Sequence, residues 1–133
     1  MSEDSASAVV SVRAVSVDGV PVLRVAGEVD MRTVDRLRPE LLAWLDGAPE
    51  RVAIDLTGVT FLASSGLALL IEAAARADQH GVRIVLVADH RAVLRPIQAT
   101  NLDQVFDVHP DVDHAVADAR PAPPSTEVEA QDA

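Results

Sequence analysis

Between Val82 and Ala88 six of seven consecutive residues are apolar, and only Arg83 breaks the run. Five to seven residues are too few for a free-standing helix. As a strand, such a stretch must bury both faces, so helices have to lie above and below it. That single constraint points to an α/β layer fold with parallel strands, and the surrounding sequence agrees with it. Val10 to Val17 and Val20 to Val29 are Val-rich alternating stretches flanking Asp18-Gly19, a pair that tolerates the positive φ of a two-residue hairpin turn. Val52, Ile54 and Leu56 alternate with Ala53 and Asp55 as a further strand, which Thr57-Gly58 is expected to close. Val105 to Val108 reads as a last short strand.

Four helical segments separate these strands. Val34, Leu37, Leu41, Trp44 and Leu45 recur at helical spacing, with Asp30 or Thr33 able to cap the start and Pro39 predicting a kink or a later beginning. Leu67, Leu70, Ile71 and Ala74 define the apolar face of a second helix, with Glu72 and Arg76 in favourable i,i+4 order on the other side. Arg91 to Thr100, interrupted by Pro96, and Val112 to Ala119 supply the third and fourth. The order β-β-α-β-α-β-α-β-α predicts a single domain over residues 9–119. Its mixed sheet has about five strands, an N-terminal hairpin followed by parallel strands joined by right-handed crossovers. Residues 1–8 are expected to be a flexible N-terminus. The Pro-rich acidic tail over 120–133 has almost nothing to bury and is expected to be disordered.

Charge and composition exclude several function classes. The chain has 21 Asp and Glu against 11 Arg and no Lys, a formal charge of −10, which disfavours nucleic-acid backbones and anionic lipid surfaces. Phe61, Phe106 and Trp44 are the only aromatics, so stacking platforms are scarce. Without cysteine there is no disulfide, thiolate nucleophile or cysteine-bound metal. The longest apolar runs, Leu67 to Ile71 and Ile84 to Ala88, fall far short of the roughly 20 residues of a membrane helix, and Met1 to Ser7 lacks signal-peptide character. A cytoplasmic location without membrane insertion is the resulting expectation.

Chemistry-bearing residues concentrate in two places. Leu62-Ala63-Ser64-Ser65-Gly66-Leu67 puts two hydroxyls and a glycine where a strand's exit becomes a helix start, a position with free N–H groups and partial positive charge. A phosphorylated serine would be tolerated there, and Gly66 leaves room for close approach by another macromolecule. Plain N-capping by Ser64 or Ser65 is the simpler alternative. Gly27-Glu28-Val29-Asp30 places two carboxylates at the end of a strand, where a capping Asp30 and a solvated Glu28 are favoured over catalysis. Asp55 invites comparison with a phospho-accepting receiver aspartate, but the lysine such a site needs is absent. His80, His90, His109 and His114 have no metal-ligand spacing, and no phosphate-cradling loop or nucleophile elbow is present. Neither a catalytic residue, a metal nor a cofactor is therefore assigned.

Together these stretches resemble the STAS-domain family, specifically the bacterial anti-sigma factor antagonists. Gly27-Glu28-Val29-Asp30 is similar to that family's G-E-[LIV]-D. Asp55 to Leu67 is similar to its D-[LF]-x-x-[LV]-x-[FY]-[MIL]-D-S-[ST]-G-[LI], and the likeness extends roughly from Val10 to Ala117. The resemblance implies a non-catalytic regulator that, unphosphorylated, binds a partner acting as both anti-sigma factor and serine kinase, and so frees a sigma factor. That kinase, which itself binds the ATP, would phosphorylate Ser64 and end the interaction, and a serine phosphatase would reset it. Glu28, Asp30, Ala63, Ser64, Ser65, Gly66 and Leu67 are the partner-binding residues so implied. Ala63 departs from the family's aspartate, which favours an alternative role as an unphosphorylated STAS scaffold in a stressosome-like or lipid-transport complex.

Overall fold

A computed structural model describes residues 10–119, so the expectations for residues 1–8 and 120–133 lie outside the described residues. Strands β1 (Val10–Val17), β2 (Val20–Val29), β3 (Arg51–Leu62), β4 (Arg83–Val87) and β5 (Asp107–His109) form one sheet in sequential order. The β1–β2 pair is antiparallel, and every later pair is parallel. Helices α1 (Val34–Asp46), α2 (Ser64–Gln79), α3 (Arg91–Ala99) and α4 (Val112–Ala119) make the connections and the C-terminal cover. A 3₁₀ turn, Leu102–Gln104, precedes β5. The hairpin turn has φ of 51° at Asp18 and 84° at Gly19, the double positive-φ turn that matches strand twist.

The sheet has two unequal cores. On one face Leu23, Val25, Val52, Ile54 and Leu56 pack with Leu41 and Leu45 of α1, Leu69, Leu70 and Ala73 of α2, and Val93 and Ile97 of α3. On the other, Val20, Val22, Ala53, Val85 and Val87 pack with Ala115, Val116 and Ala119 of α4. Ile84, Val85, Leu86 and Val87 are buried alike, as the continuous apolar run requires. Arg83 lies at the edge of the smaller core, where it pairs with Asp107 and, at 3.1 Å, with Asp118 of α4. His109 meets the same Asp118 at 2.8 Å, so one cluster of charges fastens α4 to the sheet edge.

Several local expectations are corrected. Thr57-Gly58 does not end β3, which continues to Leu62 because β2 runs beside it: Ala26 pairs with Gly58 and Val29 with Leu62. The turn tendency is real but local, with the Asp55 carboxylate accepting hydrogen bonds from the Thr57 N–H (2.9 Å) and Oγ (2.8 Å). A Cβ on Gly58 would meet the Ala26 Cβ at 2.9 Å, so the glycine serves close strand approach. The first helix does not begin at Pro39, since α1 starts at Val34, and Pro96 does not interrupt α3, which runs through it. The last strand starts at Asp107, two residues later than expected, because Val105 and Phe106 complete the 3₁₀ turn, whose Leu102 carbonyl accepts both their N–H groups. Glu72 and Arg76 do not pair with each other. They reach α1 instead, Glu72 to Arg38 at 2.9 Å and Arg76 to Asp46 at 3.0 Å, cross-linking the two helices. Ile71 is 53% exposed rather than on the buried face, which is Gly66, Leu67, Leu69, Leu70, Ala73 and Ala77.

Candidate functional site

The parallel pairing of β2 with β3 decides the site, because it ends both strands at the same edge of the sheet. Glu28 is opposite Phe61 and Val29 opposite Leu62, and the Ala63 N–H donates to the Val29 carbonyl at 2.9 Å. The two motifs, more than thirty residues apart in the chain, thereby become adjacent loops, each leading into a helix. Their helix starts are chemically opposite.

At the first loop Asp30 and Thr33 cap each other. The Asp30 carboxylate accepts from the N–H groups of Arg32 (2.9 Å) and Thr33 (3.2 Å), while Thr33 Oγ1 accepts from the Asp30 N–H at 3.0 Å. The Asp30 carbonyl then takes the Val34 N–H at 2.9 Å, so the chain is already winding into α1. Thr33 Oγ1 also donates to the Glu28 carbonyl at 2.7 Å, and Thr33 is fully buried. Arg32 lies between the carboxylates, at 3.4 Å from Glu28 and 3.2 Å from Asp30. Partial burial acts to raise the Asp30 pKa, but the Arg32 side chain and the two backbone N–H groups outweigh it and hold the carboxyl below its ordinary value. Asp30 is thus a structural cap with a neutralised charge, while Glu28 is half exposed to solvent.

At the second loop no side chain caps the helix. Ala63 occupies the N-cap position of α2 in extended conformation, and no acidic residue lies in the first turn. Ser64 is exposed; Ser65 is partly buried, with its Oγ enclosed and without a hydrogen-bond partner. Gly66 and Leu67 are buried. A Cβ on Gly66 would meet Leu62 Cδ1 at 2.6 Å and Val29 Cγ1 at 2.7 Å. The space this glycine preserves is therefore inside the protein, where α2 crosses β2 and β3, and not at an outer docking surface as expected. With Gly66, Leu67, Leu69, Leu70, Ala73 and Ala77 inward, Ser64, Ala68, Ile71 and Ala75 are exposed at i, i+4, i+7 and i+11 spacing.

Hydropathy patterning did not single out Met31 or Phe61, and it placed Ile71 on a buried face. Met31 is 76% exposed, Phe61, opposite Glu28, is 50% exposed, and Ile71 is exposed two turns along α2 from Ser64. Large side chains left in water beside a polar loop are a common mark of a protein-docking surface. Asp55 is buried, lies 3.6 Å from Arg24 and is engaged by Thr57, so it is not an open phospho-acceptor. His80 and His90 flank helices and His114 lies in the first turn of α4, but His109 ends strand β5 rather than lying in a loop or at a helix end as expected; among the described residues no cluster of three or more His, Asp or Glu side chains could hold a metal. No helix among the described residues is long and apolar enough to cross a membrane.

Residues 11–115 match the STAS domain. The chain belongs to the STAS-domain family. It is 34% identical over 89 residues to the anti-sigma-F factor antagonist RsfB of Mycobacterium tuberculosis, a match covering 67% of this chain and 72% of RsfB. The crystal structure of an anti-sigma factor antagonist from Mycobacterium paratuberculosis has a TM-score of 0.79 at 33% identity, covering 85% of this chain and 96% of that one. The anti-sigma factor antagonist SpoIIAA in its unphosphorylated form shares the fold, with a TM-score of 0.61 at 17% identity over 81% of this chain and 96% of that one. This STAS domain therefore groups with anti-sigma factor antagonists.

Proposed function

We propose that this STAS domain is an anti-sigma factor antagonist that, unphosphorylated, binds an anti-sigma factor with serine-kinase activity and so frees a sigma factor. Phosphorylation of Ser64 ends the interaction, and a serine phosphatase restores it. The observation that carries the reading is the exposed Ser64 at an uncapped helix start, bordered by the exposed apolar residues Met31, Phe61 and Ile71. In the transfer the Ser64 Oγ bonds to the γ-phosphorus of ATP held by the kinase. The bond from that phosphorus to the ADP oxygen breaks, and the hydroxyl proton passes to a base on the kinase. Phosphate adds about −1.5 to −2 charges in the middle of the docking surface, where desolvating it against the partner is costly. Glu28, Ala63, Ser64 and the outer stripe of α2 are the docking residues in this reading. Asp30, Gly66 and Leu67 shape the surface from beneath.

Incubation with the cognate kinase and ATP is expected to yield a singly phosphorylated species by intact-mass spectrometry, absent in Ser64→Ala. Phosphate at another residue, or none, would overturn the assignment. A stable complex with transporter or stressosome-like subunits in place of a kinase would favour the scaffold role instead.

A further inference from the structure

The two edges of the sheet are built differently. β5 has three residues, carries Asp107 and His109 and is followed by Pro110, features that discourage a further strand from pairing with it. β1 has eight residues, contains neither proline nor acid, and keeps an unbroken register with β2 from Val10–Gly27 to Val17–Val20. Its one charge is Arg13. Among the described residues β1 pairs with β2 alone, so its outer side presents an open row of backbone groups. The two-residue turn makes Val17–Val20 a hydrogen-bonded pair. Alternation along the antiparallel ladder then points the N–H and C=O groups of Val12, Ala14 and Ser16 outward. The smaller core is also unfinished at this edge, where Val15 and Val17 are only partly buried against it.

We propose that β1 is a self-association edge: a second copy of this chain lays its own β1 antiparallel along it, about a twofold axis at Val15, so that the two five-stranded sheets become one. The sequence of the strand is what selects a second copy. A twofold axis normal to the sheet keeps like faces together, and only a few registers then bring the outward backbone groups into pairs. Centring the axis on Arg13 sets two guanidinium groups directly opposite each other, which is repulsive. Centring it on Ala14 leaves the arginines diagonal neighbours and sets Val17 against Ser11. Centring it on Val15 sets Val15 against its own copy, Ala14 against Ser16, and Arg13 against Val17 beside the second copy's Asp18. In that register β-branched side chains meet across the axis and opposite charges come alongside. Val15 and Val17 of both copies join the two smaller cores into one apolar layer. The start of β1 lies beside Gly27, at the same end of the sheet as the pairing of Val29 with Leu62 that leads to Ser64. The antiparallel contact therefore sends the two Ser64 loops to opposite ends of the joined sheet, and each remains open to its own partner. The pairing does not depend on the reading of Ser64 as a switch.

The chain contains no cysteine, so single-cysteine variants of the full chain report the register directly. At Val15 the paired strands would place two Cα atoms about 4.5 Å apart, inside the disulfide range of about 4.4–6.8 Å. In a glutathione redox buffer Val15→Cys is expected to form a covalent dimer about tenfold faster than Arg13→Cys or Ala14→Cys. Val105→Cys, exposed beside the β5 edge, is expected to stay monomeric. Light scattering of the unmodified chain is expected to move from 14.1 kDa toward twice that mass as concentration rises. Ala14→Pro removes one outward N–H from each copy while leaving the ladder to β2, and should weaken dimerisation about tenfold to a hundredfold. A chain that stays monomeric at millimolar concentration, fastest cross-linking at another position, or a folded Ala14→Pro variant that dimerises unchanged would each overturn the proposal. β1 amides that gain hydrogen-exchange protection only when the anti-sigma factor is added would assign the edge to that partner and overturn it as well. The cross-linking result decides the matter even if the proline variant fails to fold.

Discussion

Helices α1 and α2 begin side by side at the ends of β2 and β3, yet one start is closed and the other open. At α1 the chain satisfies itself: Asp30 and Thr33 exchange hydrogen bonds, Arg32 neutralises the carboxylates, and Thr33 is buried. At α2 there is an alanine where a cap would be, an exposed hydroxyl and a buried one without a partner. An open start is not confined to α2, since α3 also begins without a side-chain cap, at His90. In the proposed function α1's loop serves architecture and α2's loop carries the switch.

Four measurements test this division. Ser64→Asp places a charge at the open start. It is expected to weaken anti-sigma factor binding by tenfold to a hundredfold by calorimetry, about 1.4–2.8 kcal/mol, with the fold retained. Equal affinity for wild type and variant would remove the electrostatic basis of the switch. Gly66→Ala should act on folding, because its methyl must displace Leu62 and Val29 at 2.6 and 2.7 Å. A loss of about 1–2 kcal/mol in urea unfolding is expected, and an unchanged midpoint would show that α2 can shift freely.

Thr33→Val keeps the shape of the closed start but leaves the Asp30 N–H without its acceptor and the Glu28 carbonyl without its donor. It should cost about 1–2 kcal/mol of stability with anti-sigma factor affinity within twofold. A large loss of affinity in the folded variant would show that the closed start also acts in recognition. The smallest effect is a pH dependence. Because the Asp30 pKa lies below its ordinary 3.8 in the folded protein, its stabilising effect is complete above that value and is lost as pH falls through the lowered one. The Arg32 and Thr33 amide resonances should therefore shift below about pH 3.8, while those of Ser64 and Ser65, with no carboxylate cap, stay constant. Parallel shifts at both starts would mean that the two loops titrate as one unit.

Much of this was readable from residue order. The apolar stretch after Val82 demanded cover on both faces, and Asp18-Gly19 set the hairpin by local backbone preference alone. Ser64 stood out because a hydroxyl beside a helix start has consequences within one turn of chain. Less legible were features that depend on a neighbour far away in sequence. Gly58 looked like a strand end because its local tendency is to turn, and the pairing with Ala26 overrode that tendency. Glu72 and Arg76 met the spacing for a helical ion pair, but α1 offered Arg38 and Asp46 at closer range. Ile71 fitted an apolar stripe, but the helix packs Gly66, Leu69, Leu70 and Ala73 against the sheet and leaves Ile71 in water.

Residue order alone determined the alternation of elements, the hairpin and the serine at a helix start, because periodicity, turn chemistry and capping act over a few residues. The tertiary structure decided which groups surround that serine, which glycine faces inward and which helix end stays open. Those outcomes depend on strand pairing and helix crossing, where groups thirty or more positions apart compete for the same space and the same hydrogen bonds.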